Sequence, residues 1–390
     1  MRRYACALLL LLLGVTPAIA ERRHAARPPA VAEVTPAGWL ISHAYPLTDM
    51  QPLRTVLGSS TIVGLGDATH GTHEFFEIKL RMIDFLVREM NFTTIGMEGP
   101  FVDFNRLNDY VLGGPGDPHT ILLHREPGYW FWASEEIVEL AEWMRSYNAS
   151  RGERPAVQIV GFDVTDEKSA ADFAVAYLNG VDPASPTDNL ENVRLNLIAH
   201  EAAFVARSSQ QAFDAALQAA TVASAATKMP GIPAYFAWRD ENMAANATQL
   251  QQRHGKTILW GHQEHLGKTV NLQGSKPMGK WLEEHFGGDY FAIGSSAGDG
   301  AFNVLDSSNR LVTTTRFPPI EPDSYERDFR SAAIPTLLIP LRIDLPEWLA
   351  TTHHLRGGSS NLATDTPENL RRKLDAIVYI DHTTRSINFW

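Results

Sequence analysis

Residues 61–99 read TIVGLGDATHGTHEFFEIKLRMIDFLVREMNFTTIGMEG, and this stretch decides the fold. Residues 61–66 are uncharged, β-branched and small, the composition of a strand covered on both faces. Residues 74–90 then place Phe75, Ile78, Met82, Phe85 and Leu86 at the spacing of a single helix face. Residues 93–97 supply a second strand. Two apolar strands joined by one amphipathic helix make the unit of a parallel sheet.

Outward from this unit the rhythm continues. A helical segment follows at 101–112, then a helix over 134–147 with Ser134 as N-cap and Glu135 and Glu136 in an acidic first turn. Further strands are predicted at 156–161, 257–261 and 289–293. Between the third and fourth strands, about residues 169–255, the alanine-rich runs AADFAVAYL, AHEAAFVA and QQAFDAALQAATVASAA read as several helices with no strand among them. The expected fold is therefore α/β: a mostly parallel sheet covered by helices, with an inserted all-helical subdomain. No repeat of fixed period is present. Past about residue 305 the pattern weakens and no element is assigned.

The N-terminus carries a different signal. Arg2 and Arg3 precede an apolar run at 5–15, and Ala18-Ile19-Ala20 offers small residues for a signal peptidase. Residues 1–20 are expected to be a signal peptide, and 21–34, rich in Pro, Ala and Arg, a flexible leader ahead of one domain over 35–390. The expected location is periplasmic or secreted, without stable membrane insertion after cleavage. Cys6, the sole cysteine, falls in that leading segment, so the exported chain would have neither disulfides nor a thiol nucleophile. Losing Arg2 and Arg3 makes the net charge two units more negative than −11, which argues against nucleic acid as a partner.

In parallel α/β sheets functional groups gather at the carboxyl ends of strands. Here those ends deliver Asp67 and His70, then Glu98, then Asp163, then His262 and His265. An imidazole beside a carboxylate is what general base catalysis needs, because the acid fixes the tautomer and supports the protonated ring. His70, beside Asp67 and opposite Glu98, is the candidate base for deprotonating a water.

The blocks GLGDATHGTHEFFEIKLRMIDFL, IGMEGP, GFD, YFAWRDENMAANA and ILWGHQEHLG, in this order over about residues 60–300, resemble the erythromycin esterase-like family of macrolide esterases and succinoglycan-biosynthesis-related proteins. The resemblance implies a cofactor-free, metal-free hydrolase of a small-molecule ester or lactone. It implies that His70 activates water, that Glu98 lines the same site, and that His262 and His265 orient water or stabilise an oxyanion. Arg239 and Asp240 match the family's Arg-Asp block. The expected catalytic set is His70, Glu98, His262 and Asp67. The expected substrate-binding set is His265, Arg239, Lys79 and Trp130. One departure stands out: the family usually has glutamate three residues before the first histidine, and Asp67 is shorter by about 1.5 Å.

Other signals compete. Gly294-Ser295-Ser296-Ala297-Gly298 matches Gly-x-Ser-x-Gly, but a nucleophile elbow needs a helix next, and AGDGAFNVL does not read as one. Gly64 and Gly66 resemble a dinucleotide loop whose third glycine is misplaced. The imidazoles and carboxylates could instead ligate a divalent metal, or the cleft could hold a ligand such as haem without catalysis. Tyr129-Trp130-Phe131-Trp132 fits either core packing or the wall of an apolar pocket.

Overall fold

The pleat of the central strands sorts the interior into two cores. The computed structural model describes residues 35–123, 127–306, 312–357 and 365–389, so the expected signal peptide and leader lie outside the described residues. Its strands are β1 (Tyr45–Pro46), β2 (Ile62–Asp67), β3 (Thr94–Met97), β4 (Gln158–Gly161), β5 (Thr257–His262), β6 (Tyr290–Leu305), β7 (Val312–Arg316), β8 (Thr336–Pro340), β9 (His353–Arg356), β10 (Asp365–Glu368) and β11 (Ala376–Thr383). The main sheet runs β1-β8-β11-β6-β2-β5-β3-β4. Neighbours from β11 to β4 are parallel, while β8 joins β11, and β1 joins β8, antiparallel. β7 folds back on the far end of β6, and β9 and β10 form a separate two-stranded sheet.

Successive side chains of a strand point to opposite faces. Accordingly Val63 and Leu65 of β2, Ile258 and Trp260 of β5, and Phe291 and Ile293 of β6 enter one cluster. Ile62, Leu259, Tyr290 and Ala292 enter the other. The helices His73–Met90 and Glu135–Ser150 cover the first face with Phe75, Met82, Leu86, Ile137 and Met144. The helices Ala234–His254, Met278–Phe286 and Tyr325–Arg330 cover the second with Met243, Leu250, Leu282 and Phe329. His73–Met90 ends where Asn91 turns left-handed at φ 60°, a position asparagine tolerates. No helix of the described residues is long and apolar enough to cross a membrane.

Five helices lie between β4 and β5: Glu167–Val181, Leu190–Ala199, Glu201–Arg207, Gln210–Ala226 and Ala234–His254. The first four bury Ala174, Leu178, Leu197, Phe204 and Phe213 in a third cluster, seated on Phe101 and Val102 of the helix Phe101–Val111. The fifth packs on the sheet itself.

Two elements differ from the sequence reading. The strand predicted at 289–293 continues to Leu305, carrying Ser296 straight through as extended backbone. Ser296 is buried and donates its hydroxyl to Glu326 Oε1, so these residues form no elbow. Ser296→Ala should cost about 1 kcal/mol for one lost hydrogen bond and leave catalysis intact. Loss of turnover, with covalent labelling of the wild type by a fluorophosphonate, would reinstate a serine nucleophile. The stretch past 305 also supplies β8 and β11, and β11 is an interior strand.

Candidate active site

β2, β3 and β5 lie side by side, so their carboxyl ends converge. Asp67 closes β2 with no exposed surface. Its Oδ1 accepts from Lys79 Nζ, and its Oδ2 accepts from Trp260 Nε1 at 3.1 Å and lies 3.4 Å from His70 Nδ1. The contact to the histidine is the long one, as a short carboxylate side chain would give. The His70 ring stacks on Phe131, centroids 3.9 Å apart and planes 11° apart, and meets His262 edge-on at 5.2 Å.

Glu98 ends β3 and reaches across β5. It can do so because position 261 is glycine; a Cβ there would sit 2.7 Å from Glu98 Oε2. Oε2 accepts the backbone N–H of His262 at 2.7 Å, and Oε1 accepts Arg239 Nη2 at 2.8 Å. Burial pushes the Glu98 carboxyl up, but His265, Arg239 and His70 outweigh it and hold the group well below the usual carboxylate range.

Arg239 is the hub. Its Nε donates to Asp163 Oδ1 at 3.0 Å, its Nη2 to Asp163 Oδ2 and Glu98 Oε1, and its Nη1 to His265 Nε2 at 2.8 Å. Asp163 also accepts from Tyr129 Oη at 2.8 Å. His265 Nδ1 donates to Asp240 Oδ1 at 2.7 Å, and Asp240 in turn accepts from Asn271 and from the Met278 backbone N–H. Burial works against charge on His265, while Asp240 and Glu98 pull its pKa above the ordinary value. The acceptor role towards Arg239 requires a neutral ring, so protonation, which Asp240 and Glu98 favour, breaks that bond.

His70, Asp67, Glu98, His262, His265 and Arg239 therefore lie together at one edge of the sheet, and the contacts of three residues differ from those their expected roles would use. The first is His262, expected to orient water or hold an oxyanion. Its Nδ1 accepts the Glu264 N–H and its Nε2 faces the Ala68 carbonyl, both at 3.3 Å. Burial and His70 hold it neutral, its pKa well below the ordinary value, so no ring N–H is left for an oxyanion. Lys79, expected to bind substrate, is 3% exposed and committed to Asp67, with its ammonium 5.0 Å from the Trp260 ring. Trp130, expected in the pocket wall, is 2% exposed within the first core; its neighbour Phe131 supplies the face against His70.

Phe131 and Trp260 are residues of this cluster absent from the expected sets, and Asp163, expected at the same edge, has no role in either set. The GFD turn and the aromatic run held the signal for two of them. As a metal centre the cluster fits poorly. Among the described residues no three His, Cys, Asp or Glu are arranged to hold an ion, and the Arg239 guanidinium already fills the space between Glu98 and Asp163.

A mostly parallel α/β fold with imidazoles and carboxylates converging at the carboxyl edge defines the class of protein. The family described as erythromycin esterase matches residues 87–192 and 186–383, and the chain belongs to that family. It is 25% identical over 427 residues to a Bacillus subtilis (strain 168) protein, YbfO, named provisionally as a hydrolase; the match covers 90% of this chain and 91% of that one. A shorter match, 28% over 118 residues, covers 30% of this chain and 26% of erythromycin esterase type II of Escherichia coli. Among solved structures, a Bacillus cereus protein is similar with TM-score 0.78 and 25% identity, covering 91% of this chain and 98% of that one. A mutant of the erythromycin esterase EreC in its open conformation has TM-score 0.64 and 18% identity over 85% of this chain and 93% of that one, a likeness of fold.

Proposed function

We propose that this chain is a carboxylic ester hydrolase in which His70 activates the water that attacks an ester or lactone. The observation that carries this reading is the Asp67–His70 pair. With Nδ1–H turned to Asp67, the ring's Nε2 holds a lone pair for a proton. Nε2 takes a proton from water as the water oxygen bonds to the acyl carbon, and the carbonyl electrons move onto oxygen. Collapse restores the carbonyl, breaks the bond to the leaving alcohol, and the alkoxide takes the proton from His70. A lactone opens by the same steps to a single hydroxy acid.

The charges around the ring support this sequence. Among the described residues, the carboxylates Asp67, Glu98, Asp163 and Asp240 outnumber the cationic partners Lys79 and Arg239 in this cluster, which favours a transient imidazolium. For the oxyanion we assign the second Nη1–H of Arg239, which takes no acceptor among the described residues. The kinship with erythromycin esterases supports a lactone substrate, macrolides included. The basic, apolar, small-residue order of residues 1–20 supports export.

The test is the purified chain with p-nitrophenyl esters and a macrolide panel, read by absorbance and by a mass gain of one water. Turnover should survive exhaustive chelation. Loss with chelator and recovery with one added metal would replace this reading with metal-assisted hydrolysis. No turnover on any ester would end it.

A further inference from the structure

The last residues of the described chain run between the two segments that carry the candidate base and its stacking ring. On one side, residues 384–389 pair with the loop after His70. His73 N–H donates to the Thr384 carbonyl at 3.0 Å, and Ser386 N–H to the Gly71 carbonyl at 2.9 Å. On the other side they pair with the turn after Phe131. Glu135 N–H donates to the Ile387 carbonyl at 2.9 Å, and Phe389 N–H to the Ala133 carbonyl at 3.1 Å. The buried Glu136 carboxylate ties the same segments, accepting from His73 Nδ1 at 2.7 Å and from the Ile387 N–H at 3.0 Å.

Asn388 closes this arrangement. Its amide nitrogen faces the carbonyls of Trp130 at 3.4 Å and Ala133 at 3.3 Å, which can only accept, so its amide oxygen is turned the other way. There it accepts from Ser386 Oγ at 2.7 Å and from Asn303 Nδ2 at 2.9 Å. Asn303, near the end of β6, is buried and fully engaged. Its Nδ2 also donates to the Ser386 carbonyl at 2.8 Å, its Oδ1 accepts from Thr314 Oγ1 at 2.9 Å, and its backbone N–H donates to the Gly71 carbonyl at 2.8 Å. The fit against the His70 loop has no slack, since a Cβ on Gly71 would overlap the Asn303 carbonyl. One path of hydrogen bonds therefore runs from the residue after His70, through Asn303 and Asn388, to two carbonyls on either side of Phe131.

We infer that Asn388, acting through Asn303, is a positioning residue for His70, on the reading of His70 as the base in the proposed hydrolysis. Phe131 meets the imidazole with centroids 3.9 Å apart and planes 11° apart, a stack that holds only while the two backbones keep their spacing. A general base must keep its free nitrogen within about 2.6–3.2 Å of the proton's donor atom, and a misplacement of about 1 Å costs about 10²-fold in rate. Asn388 fixes the loop and the stacking ring as one unit. None of its hydrogen bonds reaches the imidazole, so it acts through the backbone on either side of it.

The test uses the full chain labelled with carbon-13 at histidine Cε1, together with kcat and KM on one p-nitrophenyl ester. The His70 Cε1–H signal is assigned by its loss in His70→Ala. Phe131→Leu gives its position without the stack, downfield of the parent because the Phe131 ring current is gone. Asn388→Ala should melt cooperatively, move that signal towards the Phe131→Leu position, and lower kcat about 10- to 100-fold with KM little changed. In a His70→Ala background the same substitution should add no further loss, since no imidazole is left to place. Should Asn388→Ala not fold, Asn388→Asp carries the same test: it keeps the acceptor for Asn303 and Ser386 and sets a carboxylate oxygen against the two carbonyls. A folded Asn388 variant with an unmoved His70 signal, one with parental kcat, or one whose loss repeats in full without His70 would overturn the inference. A parent chain that turns over no ester would end the hydrolase reading, and with it the catalytic use of this clamp, whatever the His70 signal does.

Discussion

His70→Ala should lower kcat for ester hydrolysis by about 10²–10⁴-fold, the range general base catalysis supplies, while the protein stays folded. The imidazole stacks on Phe131 and stands at the end of its contacts, so removing it strands little. Asp67 keeps Lys79 and Trp260 as partners, and Glu98 keeps Arg239 and the His262 N–H. The stability change should stay within the ordinary range of about 0.5–3 kcal/mol for a single substitution. KM should move little, because the lost interaction belongs to the transition state. Free imidazole, which can occupy the vacated space against Phe131, should restore part of the rate. A soluble, cooperatively melting His70→Ala protein with near-normal turnover would remove His70 from the mechanism.

What the sequence makes legible follows from burial. β2 and β3 are covered on both faces, so they show as uninterrupted apolar runs, and the helix between them shows its periodicity because only one face is covered. β11 is as apolar as β2, but no long amphipathic helix frames it; the helix before it, Leu370–Lys373, has four residues. The end of β6 is hidden for another reason. Glycines and serines at 294–298 have poor strand propensity, and they are there because the surroundings are tight. A Cβ on Gly294 would lie 2.4 Å from Leu374. Local preference points to a turn, and packing decides for a strand.

The site is legible as a set of positions and opaque as a set of pairs. Strand ends place Asp67, Glu98 and His262 by topology alone. That Arg239 belongs to Asp163 as well as Glu98, or that Lys79 folds back beneath Asp67 from the following helix, is a matter of tertiary geometry. The exchange of Trp130 for Phe131 turns on one residue of phase within the 3₁₀ turn Pro127–Trp132, which has no period long enough to read.

Asp67→Asn should be the most damaging single change in stability, and the cause should be Lys79. Burial lowers the Lys79 pKa from 10.5 to about 8, with Asp67 the main influence opposing that fall. An amide cannot oppose it, so the variant must either bury an uncompensated ammonium or give up the Lys79 proton, at about 3–5 kcal/mol. The pH dependence gives the sign. For a lysine whose folded pKa lies below its unfolded value, the unfolded state binds more protons between the two values, and stability rises with pH across that window. In the wild type the window opens near pH 8. In Asp67→Asn it should open lower, so unfolding free energy should climb from about pH 6 to 8, where the parent is flatter. Adding Lys79→Met removes the ammonium and should recover most of the stability and abolish the climb. It should not recover turnover, because the amide introduced by Asp67→Asn still lacks the charge that supports the His70 imidazolium. Urea unfolding at several pH values, with kcat on one ester, separates the outcomes. A double variant that regains both would make Asp67 a scaffold for Lys79 alone, and a single variant as stable as the parent would mean that the pair does not hold the strand end.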